Sequence, residues 1–149
     1  MTGGEPTVQP DLEFFLEKIR KMGYLIKVDT NGSNPRVLDA LIRQNLVDYL
    51  AMDIKGPLKK YSRIASVKVD ASVIRRSIEI ITASGIEHEF RTTVVRSQLA
   101  MDDLISISKL LKKADLYVLQ SFVPAKIIDN SFLSETSYSQ EEFGAIHKK

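Results

Sequence analysis

Between Pro10 and Met22 the apolar residues Leu12, Phe15, Leu16, Ile19 and Met22 recur at helical spacing, and Gly23 follows, so the pattern predicts a helix with a glycine stop. Tyr24–Val28 reads as a strand running into the turn residues Asp29-Thr30-Asn31-Gly32. Asn34 and Pro35 suit the cap and first turn of a second helix, with Val37, Leu38, Leu41 and Ile42 on its apolar face. The cycle then repeats. Val47–Ile54 is a mostly apolar strand ending in Asp53-Ile54-Lys55-Gly56, and a longer connection, Pro57–Val69, leads to Asp70 as the cap of a helix over Ala71–Ser84. Glu87–Val95 is a strand. Met101–Lys113 is a helix with Asp102 and Asp103 in its first turn, where the macrodipole favours them. Leu116–Phe122 is the last strand, and Ser139 with Glu142 has the spacing of a capping box for a final helix.

The predicted order is α-β-α-β-α-β-α-β-α. Strict alternation implies an α/β fold over 1–149, a single domain of parallel strands joined by right-handed crossovers. A doubly wound sheet and a (β/α) barrel both satisfy it, and periodicity alone does not choose between them.

Composition narrows the function classes. A chain of 149 residues with 44% hydrophobic and 27% charged residues fits one globular domain with a real core. The 21 basic and 19 acidic residues are mixed along the chain, which gives no electrostatic footprint for nucleic acid or a membrane surface. No apolar run approaches the ~20 residues of a membrane span and no signal-peptide pattern is present, so the expected location is the cytoplasm. There is no cysteine, which excludes disulfides and thiolate metal sites within this chain. His88 and His147 lack ligand spacing; His88 falls in a strand pattern and is expected on a sheet face or the surface, and no metal site is expected.

Polar residues collect where the strands end. The opening loop carries Gly3, Gly4 and Glu5, the next strand ends at Asp29-Thr30-Asn31, and the one after at Asp53-Ile54-Lys55. The fourth group is Arg91 and Thr93 within an otherwise apolar run, and the last is Gln120-Ser121. Asp53 and Lys55 share a strand face, as do Arg91 and Thr93. Structural ion pairs such as Asp53 with Arg91, and turn chemistry at Asn31-Gly32, would explain any one cluster. Several clusters at the carboxyl end of one sheet point to a ligand site, because both architectures bind ligands there. Carboxylates and main-chain carbonyls suit an ammonium group, while Lys55 and Arg91 suit a carboxylate, so a zwitterionic ligand fits the mixture.

These residues together resemble a known family. Gly3-Gly4-Glu5-Pro6 is similar to the GGE(P) loop after the second core strand of radical S-adenosylmethionine (SAM) enzymes. Val28-Asp29-Thr30-Asn31-Gly32, Met52-Asp53-Ile54-Lys55, Glu89–Val95 and Tyr117–Phe122 follow in the order seen in glycyl-radical-enzyme activases. The resemblance is to activating proteins of anaerobic ribonucleoside-triphosphate reductase, with pyruvate formate-lyase activases next. It implies that Gly3, Gly4 and Glu5 hold the ammonium end of SAM. It also implies that Asp29, Thr30, Asn31, Asp53, Lys55 and Arg91 surround the methionyl carboxylate, with Gln120–Phe122 near the adenosine. The implied fold is four strands of a partial (β/α)6 TIM-like barrel. The implied reaction is reductive cleavage of SAM by a 4Fe-4S cluster, giving a 5′-deoxyadenosyl radical that takes hydrogen from a glycine of a partner glycyl radical enzyme.

One departure is large. The family's CxxxCxxC cluster motif has no counterpart here, and the match begins at the end of the second core strand. Met1 is therefore expected to stand inside a longer domain, after about 40–80 residues of missing βα structure, and this chain alone is expected to be inactive. The Tyr24–Val28 strand should then have an open edge, from which a homo-oligomer is expected. The alternative is a cysteine-free, non-catalytic module that binds SAM or a nucleoside, or serves in assembly.

Overall fold

The computed structural model describes residues 1–124 and 129–147. Strands β1 (Lys27–Thr30), β2 (Tyr49–Asp53), β3 (Glu87–Val94) and β4 (Leu116–Ser121) form one sheet in the order β1-β2-β3-β4, every pair parallel. Around them run α1 (Leu12–Lys21), α2 (Pro35–Arg43), α3 (Tyr61–Ile64), α4 (Ala71–Ala83), α5 (Met101–Leu110) and α6 (Gln140–His147). Spatial order equal to chain order decides between the two candidate architectures. Each crossover steps to the next neighbour in the same direction, so one handedness sets the intervening helices on one face. A doubly wound sheet needs a reversal of strand order, and none occurs among the described residues. The sheet is an arc of a (β/α) barrel wall.

Burial alternates along the strands accordingly. Val28, Leu50, Met52, Phe90, Thr92 and Val94 are buried together with Leu38 and Leu41 of α2, Ile74, Ile78 and Ile81 of α4, and Leu104 and Ile107 of α5. The opposite face carries Lys27, Asp29, Tyr49, Asp53, Glu89 and Arg91, which are half-buried or exposed. The half-polar pattern of these strands follows from helices covering one face only.

Helix boundaries follow the caps. Asp70 Oδ1 accepts from the Ser72 amide at 2.9 Å, and the Asp103 carboxylate accepts from the Ala100 amide at 3.0 Å. The capping box before α6 closes in both directions: the Ser139 amide donates to Glu142 Oε2 at 2.8 Å, and the Glu142 amide donates to Ser139 Oγ at 3.2 Å. Among the described residues no helix is long and apolar enough to cross a membrane.

Three expectations are corrected. The first strand lies at Lys27–Thr30 rather than Tyr24–Val28, because Tyr24 and Leu25 are 60% and 84% exposed on the return from α1. The apolar stripe of α1 is narrower than its spacing suggested: Leu12 and Leu16 are buried, whereas Phe15 and Met22 are 44% and 66% exposed. Asn34 stands at the start of α2 without capping it; its amide nitrogen instead donates to the Thr7 carbonyl at 3.2 Å and to Thr7 Oγ1 at 3.1 Å.

β1 is an edge strand, and one residue already lies along its outer side. The Asp29 amide donates to the Met1 carbonyl at 3.0 Å, and the Met1 amino group donates to the Lys27 carbonyl. That is the bonding pattern of a parallel pair centred on Val28. The Gly3-Gly4 loop therefore leaves the end of a strand position, as its composition suggested. At the opposite end of the sheet His88 is buried, with Nδ1 2.8 Å from the Ile86 carbonyl and 3.0 Å from the Asp115 carboxylate, a structural role.

Candidate functional site

Register places the charged residues. Asp53 is directly opposite Arg91, while Asp29 pairs with Ala51 and Ala51 with Glu89, so all of these side chains share the uncovered face. Arg91 joins them: Nη1 is 2.9 Å from Asp29 Oδ1, and Nε and Nη2 are each 3.0 Å from Asp53 Oδ1. Burial works against the guanidinium charge, but the Asp53 carboxylate and then Asp29 outweigh it and hold its pKa above the ordinary value. Asp53 Oδ2 faces Lys55 Nζ at 3.5 Å, and Glu89 Oε1 receives Lys27 Nζ at 2.9 Å. Ion pairs link Lys27, Glu89, Arg91, Asp53 and Lys55 in succession, with Asp29 also on Arg91, so the array is balanced, three cations against three carboxylates. The Asp53–Arg91 ion pair that would explain those charges structurally is present, and it is one link of a longer array.

The opening loop is tied to this array by Glu5. Its Oε1 accepts from the Thr7 amide at 3.1 Å, from Thr7 Oγ1 at 2.5 Å and from Thr30 Oγ1 at 2.8 Å. Its Oε2 accepts from the Asn31 amide at 2.6 Å. The carboxylate thus clamps the loop to the end of β1 and is largely committed to protein donors. Gly3 and Gly4 beyond it take positive φ of 104° and 60°, and apart from their immediate chain neighbours no protein atom lies within 4 Å of where a Cβ would stand on either. Their backbone is open to a ligand.

Asn31 and Gly32 carry the turn. Asn31 Oδ1 accepts from the Ser33 amide at 2.8 Å, and the Gly32 amide donates to Thr30 Oγ1 at 3.0 Å. The Gly32 carbonyl accepts from the buried Ser77 hydroxyl of α4 at 2.7 Å. A Cβ on Gly32 would lie 2.0 Å from Met52 Cε, so close packing as well as a φ of +74° requires glycine there.

Tyr61 is the residue that sequence reasoning missed. It stands in the Pro57–Val69 connection and is buried beneath the end of β2. Its hydroxyl oxygen is 3.4 Å from the Asp53 carbonyl and accepts from the Lys55 amide at 3.3 Å, and burial pushes its pKa up to about 12. It holds the Asp53-Ile54-Lys55 segment from below. An aromatic ring next to the lysines of the connection was the available signal.

Thr93, Gln120 and Ser121 are exposed at the ends of β3 and β4. Among the described residues no cluster of three or more His, Asp and Glu side chains could hold a metal ion. A cavity of about 380 Å³ adjoins the array, lined by Asn31, Ser33, Lys55, Tyr61 and the 65–69 segment.

The radical SAM superfamily pattern matches residues 1–111. A Methanocaldococcus jannaschii protein named as a glycyl-radical enzyme activating enzyme is 34% identical over 157 aligned positions, which take in 100% of this chain and 65% of that protein. The chain thus spans 65% of the length of that relative. A 7-carboxy-7-deazaguanine synthase of Neisseria meningitidis is 49% identical over 35 residues, 24% of this chain and 16% of that protein. The crystal structure of a domain of pyruvate-formate lyase-activating enzyme from Bacteroides vulgatus superposes with a TM-score of 0.75 at 15% identity, covering 99% of this chain and 89% of that one, a likeness of fold. The matched pattern takes in the opening loop, β1, β2 and β3, the elements that assemble the charged array, and the chain belongs to the radical SAM superfamily.

Proposed function

We propose that this chain is the SAM-binding part of an activating enzyme that installs a glycyl radical on a partner protein, an anaerobic ribonucleotide reductase. The observation that carries the proposal is the convergence of an open Gly3-Gly4 backbone with a charge-balanced row of carboxylates and cations at the strand ends. Such a site suits a ligand that carries an ammonium and a carboxylate together. The Gly3 and Gly4 carbonyls would accept from the ammonium group, and Lys55 and Arg91 would face the carboxylate. Asp29 and Asp53 orient Arg91, while Glu5 fixes the loop against β1. Bound SAM supplies the 5′-deoxyadenosyl group as a radical source.

The family also implies a 4Fe-4S cluster. The chain has no cysteine, so it offers no thiolate ligand and cannot bind the cluster itself. The same observation favours a second reading, a cysteine-free module that binds SAM or a nucleoside without radical chemistry. The reading frame upstream of Met1 separates them: an in-frame CxxxCxxC supports the first, and a stop codon supports the second.

Isothermal titration of the purified chain with SAM tests the site. Gly4→Val is expected to abolish binding, because its side chain would occupy the open space beside the backbone, and Asp53→Asn to weaken it by releasing Arg91. Unchanged affinity in both variants would overturn the assignment.

A further inference from the structure

Between Lys55 and Val69 the sequence has five basic residues and no acidic one. The segment starts at the carboxyl end of β2, on the same rim as Asp53, and Tyr61 pins it there through its hydroxyl. Beside it lies a groove of about 380 Å³ with an aliphatic floor of Pro57, Leu58 and Leu110. Lys59, Lys60, Arg75 and Ser106 line it as well. The one carboxylate lining it, Asp103, is already engaged: it accepts from Lys60 Nζ at 2.7 Å and from the Ala100 amide at 3.0 Å. Among the described residues Lys59, Arg63, Lys68 and Arg75 have no ion-pair partner, and all four are exposed. The result is a one-signed rim around an apolar groove in a chain whose charges are otherwise mixed.

We infer that this groove docks an acidic segment of the polypeptide on which the full-length enzyme acts, one apolar side chain entering the floor and carboxylates meeting Lys59 and Arg75. The inference rests on the reading of the chain as part of an activating enzyme and names the chemistry of its partner surface. Protein is favoured over nucleic acid on two counts. The floor is aliphatic, with Tyr61 buried rather than offered for base stacking. A carboxylate also lines the groove, which suits a mixed peptide better than a phosphate chain. Pro57, Leu58 and Lys59 of the groove follow directly after Asp53-Ile54-Lys55 in the chain, so a docked partner touches the connection that leads out of the proposed SAM site.

The test uses fluorescence anisotropy with the purified chain. The probes are a labelled polyglutamate peptide with one central leucine, the same peptide built on lysine, and an oligouridylate of matched length. The glutamate peptide should bind, the lysine peptide should not, and added salt should weaken the complex. The double variant Lys59→Glu/Arg75→Glu should lose about tenfold or more in affinity for the glutamate peptide. Ser106→Trp, which fills the groove without changing charge, should lose a similar factor. SAM affinity should stay at the wild-type value in both variants, since neither touches the strand-end array. Equal peptide binding by wild type and both variants, no peptide binding at all, or preference for the oligouridylate would overturn the inference. If SAM fails to bind the wild-type chain, the SAM reading fails by that measurement alone, whatever the peptide does.

Discussion

Glu5→Gln is the sharpest probe of the opening loop. The wild-type carboxylate collects four hydrogen bonds, three on Oε1 and one on Oε2. A glutamine can place its oxygen at Oε1 and keep the two Thr7 contacts and the Thr30 contact. Its amino group then faces the Asn31 amide at a site where the donor–acceptor distance was 2.6 Å, donor against donor. The opposite rotamer satisfies Asn31 but turns the amino group on three donors. Either way a charge-assisted acceptor is lost and at least one backbone amide loses its partner. An unsatisfied amide and a weakened set of bonds together cost about 2–3 kcal/mol. For a chain of this length that is a fall of roughly 5–10 °C in Tm. Urea unfolding followed by circular dichroism reads it. Thr30→Val, alone and combined with Glu5→Gln, should show a coupling energy well away from zero, because the two residues share one bond. A Glu5→Gln protein with wild-type stability but without SAM affinity would refute the reasoning, for Glu5 would then serve the ligand and not the loop.

Gly32→Ala should destabilise by about 1–3 kcal/mol, since a left-handed backbone and overpacking against Met52 act together; an unchanged urea midpoint would show that Met52 has room to swing away. Burial raises Tyr61 and Tyr117 to about 12, above the unfolded value near 10. Their contribution to stability is therefore intact below pH ~10 and is lost as pH rises through ~12. A spectrophotometric titration should show a late tyrosinate step that coincides with unfolding, and smooth titration of every tyrosine near pH 10 with the fold intact would contradict this. With Met1 alone along the outer side of β1, and Tyr24 and Leu25 exposed just before it, the chain should self-associate through that edge. A clean monomer in sedimentation velocity at high concentration would count against association.

Much of this was legible because the periodicities are strong. Leu38 and Leu41, Ile74 with Ile78 and Ile81, and Leu104 with Ile107 announce helices that bury one stripe, and they do so. An Asp53–Arg91 ion pair could be named in advance as one account of the strand-end charges, but the register that sets the two opposite each other could not. The start of β1 was misplaced because Tyr24 and Leu25 are apolar in type yet lie at an edge, where composition reports little about burial. The contacts of Glu5 with Thr30 and Asn31 were not legible, because those partners lie 25 and 26 residues further along the chain. Asn34 was read as a cap for the same reason: its local spacing fits, but a tertiary acceptor at Thr7 takes its side chain.

The parallel alignment of Met1 with Val28 has a practical consequence for protein engineering. Any residues fused ahead of Met1 must run back beside Lys27 and Ile26, along the outer edge of the sheet. An affinity tag attached there is steered toward the amino-terminal ends of the strands, away from Gly3 and Gly4. Its composition then matters: a β-branched, apolar leader would be drawn into the sheet as a further strand, whereas a glycine-serine leader would leave the edge bare. Purification handles for ligand-binding work on this protein are best chosen with that choice in view.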